Sequence, residues 1–137
     1  MGTHNDPDGI VISACSNADV QGLASAASRE GVNLKNTQRT FWFRAMAGPE
    51  IVGTCAYLVT SAGVARLKGA YVRPTHRKRG IYVALLKACI ASARTGGCRI
   101  IEGYTSIMAL SAMGFQHVGD RDNRTHMTPI WRKVYRD

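Results

Sequence analysis

Residues 64–94, VARLKGAYVRPTHRKRGIYVALLKACIASAR, constrain the fold more than any other part of the chain. The β-type run VARLKGAYV ends at Pro74, which has no N–H to give a strand ladder. Helical spacing begins just past Gly80, where Ile81, Ala84, Leu85, Ala88 and Cys89 fall at i, i+3, i+4, i+7 and i+8. The TGG at 95–97 stops that helix, with Gly96 or Gly97 in a left-handed cap. CRIIEGYT then reads as another strand, expected to lie parallel to 64–72 because a full helix connects the two.

The loop between strand and helix crowds His76, Arg77, Lys78 and Arg79 together. A helix N-terminus already carries partial positive charge, so added cations are unfavourable there unless an anion sits among them. Gly80 lets such an anion approach the backbone, and a pyrophosphate fits the demand. The spacing is neither that of a Walker A loop nor G-x-G-x-x-G. On spacing alone, an exposed basic helix start is the alternative.

The rest of the chain supplies a sheet. GIVISA, residues 9–14, is a short β-type run, and SNADVQGLASAASRE reads as one helix capped by Ser16 or Asn17, with Val20, Leu23, Ala24 and Ala27 on one face. RTFWFRAM, IVGTCAYLVT and VARLKGAYV form an antiparallel meander. A short helix around 106–113 leads to GFQHV and, past the polar GDRDNRT, to HMTPIWRKVY, a closing hairpin. The expected class is mixed α/β (α+β), a mostly antiparallel sheet of about seven strands around one central strand–loop–helix unit, within a single domain over 1–137.

No apolar run approaches the roughly 18 residues of a membrane span, and MGTHNDPDG is unlike a signal peptide, so the cytoplasm is the expected place and no membrane is expected as partner. Cys15, Cys55, Cys89 and Cys98 are widely spaced and read as reduced and mostly buried. His76, His117 and His126 lack ligand spacing, so no metal is expected. Trp42 and Trp131 read as packing residues in strands.

AYVRPTHRKRGIYVALL resembles motif A of the GCN5-related N-acetyltransferase (GNAT) superfamily, roughly V-x-P-x-x-[QR]-x-x-G-x-[GA], with Val72, Pro74, Arg77 and Gly80 in register. MGF at 113–115 resembles the family's lGF, and the order of elements agrees over nearly the whole chain. The resemblance implies an N-acyltransferase that moves an acetyl group from acetyl-CoA to an amine. It implies pantetheine contacts at Tyr71 and Val72. Pyrophosphate contacts are implied at Arg77, Lys78, Arg79, Gly80, Ile81 and Tyr82. Two positions depart from the pattern. Tyr82 stands where a small residue closes the motif, and Leu110 stands where many members carry a tyrosine that protonates the CoA thiolate.

Other groups must then handle protons. Tyr104, at the end of a strand flanking the cleft, is the first candidate for general acid, and Ser111 the second. Glu102 is the candidate base, because alternation sets Ile100, Glu102 and Tyr104 on one face. The structural alternatives are a packed strand-end aromatic for Tyr104 and a charge pair with Arg66, Lys68 or Arg99 for Glu102. Arg66 and Lys68 share a face that repels a protonated amine and attracts an anion, which argues against a polyamine or lysine-rich acceptor.

Charge is uneven. Residues 1–63 hold four basic against five acidic side chains, and residues 64–137 hold fourteen against four. That basic half keeps a nucleic acid in view as partner, through Arg66, Lys68, Arg132 and Lys133, with Arg121, Arg124 and Arg136 nearby. Phage Mom-type proteins, which modify adenine in DNA, are similar compact members of the superfamily and supply the alternative function. A CoA-binding module without chemistry is the third, and a homodimer is open as the assembly.

Overall fold

The computed structural model describes residues 4–5, 9–104, 109–122 and 127–136. In chain order the elements are β1 (His4–Asn5), β2 (Ile10–Cys15), α1 (Asn17–Val20), α2 (Ala24–Arg29), β3 (Thr40–Ala47), β4 (Glu50–Val59), β5 (Val64–Val72), α3 (Ile81–Thr95), β6 (Ile100–Tyr104), α4 (Ala109–Ala112), β7 (Gln116–Asp122) and β8 (Met127–Val134). Among the described residues they form one sheet in the order β1-β2-β3-β4-β5-β6-β8-β7. Only β5 and β6 run parallel, as the crossover helix requires.

The mixed, mostly antiparallel sheet is as expected, with an eighth strand among the described residues. The additional β1 is a two-residue pairing of His4 and Asn5 with Ile12 and Val11, too short and polar to leave a periodic signal. The single helix expected from 17 onward is broken. Ser16 caps α1 in a capping box with Asp19, and a 3-10 turn over Gln21–Leu23 then separates α1 from α2. Gly22 sits in that turn, where its low helix propensity favours the break. Val20, Leu23 and Ala27 are nonetheless all buried. The closing hairpin is also longer, since β7 runs on to Asp122, and β8 lies between β6 and β7.

The sheet buries both faces over part of its width. On one, α3 sets Leu85, Leu86 and Cys89 against Phe43, Tyr57, Leu67 and Ile101. On the other, α1 and α2 bring Val20, Leu23 and Ala27 onto Trp42, Ala56 and Tyr71. Each large side chain buried this way contributes roughly 1.5–3 kcal/mol. Both tryptophans are buried, and the four cysteines are free, with Cys55, Cys89 and Cys98 buried. Burial, chiefly, pushes the Cys15 thiol up to about 11, so it stays protonated and is a poor nucleophile. No helix among the described residues is long and apolar enough to cross a membrane.

One residue redirects the central strand. Opposite Thr54 and Ala56 of β4 stand Tyr71 and Lys68, so β5 carries an extra residue there. Gly69 provides it, at φ +63° and with the Trp42 ring 3.1 Å from where a Cβ would lie. Gly69→Ala is expected to lower stability by about 2 kcal/mol, because the left-handed backbone alone costs an L-residue about 1–2 kcal/mol and the tryptophan must shift. A shifted midpoint in urea unfolding checks this, and an unchanged midpoint would mean the bulge relaxes freely.

Candidate active site

β5 and β6 pair only from Val64 with Ile100 to Leu67 with Gly103. Past that register the Gly69 bulge carries β5 away, and a slot opens between the strands. Two adjoining cavities fill it, of about 620 and about 930 Å³, and Glu30, Val32, Ala70 and Tyr82 line both. Tyr82, one of the two departures from the family pattern, therefore stands where the two meet.

The smaller cavity lies against the start of α3. Tyr71, Val72, Arg77, Lys78, Gly80, Ile81 and Tyr82 all line it, whereas Arg79 is exposed and does not. Lys78 at φ 64° and Gly80 at φ 79° are both left-handed, which turns the loop sharply into the helix. A Cβ on Gly80 would meet no atom within 4 Å, so the space over its backbone is open. The first turn of any α-helix leaves N–H groups without intrahelical acceptors, and here they border that space. A strand edge, an open helix start and a lysine along one cavity fit a pantetheine chain ending in a pyrophosphate.

Arg77 is already engaged. Its Nε donates to the Val72 carbonyl at 2.8 Å, its Nη2 pairs with Glu30 at 2.7 Å, and its guanidinium lies 5.6 Å from the Tyr71 ring centroid. It thus ties the end of α2 to the end of β5. Glu30 had no signal in the sequence, because its partner lies 47 residues away.

The larger cavity lies beyond Tyr82, toward β6 and β7. Tyr104 and Leu110 line it, and Ser111, on the exposed side of α4, lines neither cavity. Leu110 is buried against Gly103, so apolar packing fills the position where the family's tyrosine would stand. The Tyr104 hydroxyl donates to Glu102 Oε1 at 3.2 Å. Burial first, and then the Glu102 charge, raise its pKa above the ordinary 10.0, while Arg66 and Arg121 pull the other way. Glu102 is only 6% exposed, behind Tyr104. Arg132 pairs with its Oε2 through Nε at 2.7 Å and Nη2 at 2.6 Å, and Arg66 stands 3.6 Å from Oε1. The register of β5, β6 and β8 sets Arg66, Glu102 and Arg132 in one row across the sheet.

The four cations considered for nucleic acid divide between the two faces. Arg66, Lys68 and Arg132 lie opposite α3, while Lys133, in register with Ile101, lies on the α3 face. Lys68 Nζ donates to the Lys35 carbonyl and lies over the Trp42 ring, and Lys133 Nζ donates to the Met113 carbonyl. Arg124, His126 and the hydroxyl of Ser106 fall outside the described residues. Gly69 was the missed signal: a lone glycine inside a strand pattern marks a bulge.

The chain matches the model of the acetyltransferase (GNAT) family over residues 9–115. No curated protein sequence matches it. Among solved structures, it is similar to an N-acetyltransferase from Staphylococcus aureus Mu50, with TM-score 0.76 and 14% identity over 92% of this chain and 98% of that one. It is similar to the ribosomal-protein-S18-alanine N-acetyltransferase of Escherichia coli, with TM-score 0.73, 16% identity and 90% of each chain covered. A third, yncA from Salmonella typhimurium, solved with its cofactor acetyl-CoA, has TM-score 0.76 and 13% identity over 94% of this chain and 95% of that one. At such identities the structural likeness speaks for the fold, and the family match carries the rest: spanning β2 through α4, with the whole strand–loop–helix unit inside it, it makes this chain a member of the GNAT family, an acetyltransferase that draws its acetyl group from acetyl-CoA.

Proposed function

We propose that the chain acts as one unit to acetylate a primary amine, with Tyr104 as the residue that touches the reacting atoms and Glu102 acting through it. The observation that carries this reading is Tyr104, which lines the slot past the bulge and whose hydroxyl donates to a buried carboxylate. Acetyl-CoA supplies the acetyl group as an activated thioester. In the transfer a nitrogen–carbon bond forms, the carbon–sulfur bond breaks, one proton leaves nitrogen and one reaches sulfur. The single Tyr104 O–H proton rests on Glu102 Oε1 and turns to the departing sulfur during the transfer, so Glu102 holds the hydroxyl in place between turnovers, and the proton lost from nitrogen replaces the one given up. Ser111 has no part in it, since it lines neither cavity. The backbone of the 78–82 segment, with Lys78, holds the pyrophosphate, and the backbone at Tyr71 and Val72 holds the pantetheine arm. Four free thiols support a reducing compartment such as the cytoplasm. Against a nucleic-acid acceptor stands the division of its candidate cations between two faces, each with an intramolecular partner.

The test is thiol release from acetyl-CoA in the presence of simple primary amines. Amine-dependent, saturable release is expected. Stabilisation by acetyl-CoA without any amine-dependent release would replace this reading by a CoA-binding module. Glu102→Gln is expected to lower kcat at least tenfold and to alter the acidic side of the pH–rate profile. A Glu102→Gln variant with the wild-type profile and only a lower melting temperature would leave Glu102 as a partner for Arg66 and Arg132 alone.

A further inference from the structure

The wall of the larger cavity opposite α3 carries cations that the transfer of an acetyl group does not call for. Arg121 of β7 lines the cavity with Tyr104, and its guanidinium carbon lies 5.1 Å from the Tyr104 ring centroid. Arg66 of β5 does not line the cavity but approaches the same ring, at 5.9 Å. Lys68 lines the cavity two residues further along β5. Two carboxylates lie near these groups, and both are engaged: Glu102 is buried and held by Arg132 at 2.6 Å, with Arg66 its more distant partner at 3.6 Å, and Glu30 pairs with Arg77. Asp120 and Asp122 flank Arg121 in sequence, yet alternation along β7 turns them to the other face. A protonated or multiply cationic amine meets repulsion here, and an oxyanion meets two guanidinium groups beside a tyrosine that borders the reacting end.

We propose that the acetyl acceptor is a small amine that also carries a carboxylate or phosphate, bound by Arg121 and Arg66 beside the Tyr104 ring. The inference rests on the acetyl-transfer reading above. Even one such guanidinium–oxyanion hydrogen bond gives a matched anionic acceptor about tenfold to a hundredfold in kcat/KM over a neutral one. Both oxyanions satisfy the same two arginines, and two of the acceptors below tell them apart.

The experiment compares two- and three-carbon amines of similar size: ethanolamine, β-alanine, 2-aminoethyl phosphate and 1,2-diaminoethane. Thiol release is followed at fixed acetyl-CoA, with cofactor binding measured separately by melting-temperature shift. β-Alanine or 2-aminoethyl phosphate is expected to exceed ethanolamine by at least tenfold, with 1,2-diaminoethane the poorest. Arg121→Glu should collapse that preference and favour the diamine, while the acetyl-CoA shift stays as in wild type. Arg66→Gln, which leaves Arg132 on Glu102, should also narrow it. A wild-type preference for the diamine, an Arg121→Glu variant with unchanged ranking, or turnover only on nucleic-acid polymers would overturn the inference. Absence of any acetyl-CoA shift in the wild type would instead strike the donor-binding reading beneath it.

Discussion

Saturating acetyl-CoA is expected to raise the melting temperature of the wild-type protein and to leave that of Gly80→Asp where it was. A ligand present at a hundred times its Kd stabilises the folded state by about 2.7 kcal/mol. For a domain of this length that corresponds to a rise on the order of 10 °C. The aspartate would sit at the start of α3, over the open space that Gly80 leaves. A carboxylate about 4 Å from a phosphate, at an effective dielectric of about 20, costs about 4 kcal/mol. That is on the order of a thousandfold in affinity. Gly80→Asn separates charge from shape, because asparagine is nearly isosteric with aspartate and tolerates a left-handed backbone. It should keep part of the shift that Gly80→Asp loses. A full shift in Gly80→Asp would remove the phosphate from this end of the slot.

The second large effect is expected at Tyr104. Tyr104→Phe deletes one oxygen and its 3.2 Å hydrogen bond to Glu102, and leaves the ring that Arg66 and Arg121 approach. A lost proton-transfer group costs about 10²–10⁴ in kcat, and the KM for acetyl-CoA should change little, because the proposed pantetheine and pyrophosphate contacts lie elsewhere. The pH dependence has a defined sign. The Tyr104 pKa lies above 10.0 in the folded protein, so the hydroxyl keeps its proton through neutral and mildly alkaline solution. The alkaline loss of kcat due to this group therefore falls above pH 10, where the wild type declines and Tyr104→Phe does not. Handing a proton from a phenol whose pKa lies above 10.0 to a more acidic thiol's conjugate base is uphill, and the neighbouring guanidinium groups offset part of that cost. A Tyr104→Phe enzyme with wild-type kcat would return Tyr104 to a purely packing role.

The central crossover was legible because each of its signals is local. Pro74 ends a strand, Gly80 opens a helix, and apolar spacing through Cys89 marks the buried face, all within one window. The antiparallel meander was legible for the same reason. What escaped depends on pairing at a distance. Arg66 could be named as a partner of Glu102 from its place on a strand, but the closer partner, Arg132, is fixed by β8 inserting between β6 and β7, which no local pattern encodes. Glu30 is brought to Arg77 by the path of the loop after α2. Arg121 reads in sequence as one more charge of a polar turn. Only the length of β7, which carries the strand past that turn, brings it to Tyr104.

The extra residue in β5 shifts the phase of the strand. Without it, Lys68 and Tyr71, three apart, would face opposite ways. With it, both lie on the face opposite α3, and Val72 rather than Tyr71 turns toward α3. The strand is thus read in two frames: the upstream frame sets Arg66 and Lys68 on the face opposite α3, and the downstream frame lines the smaller cavity with Tyr71 and Val72. Deleting Gly69 would merge the frames. Such a deletion would keep every side chain implicated in binding or transfer and still unmake the site, because the slot depends on the two halves of one strand being out of step.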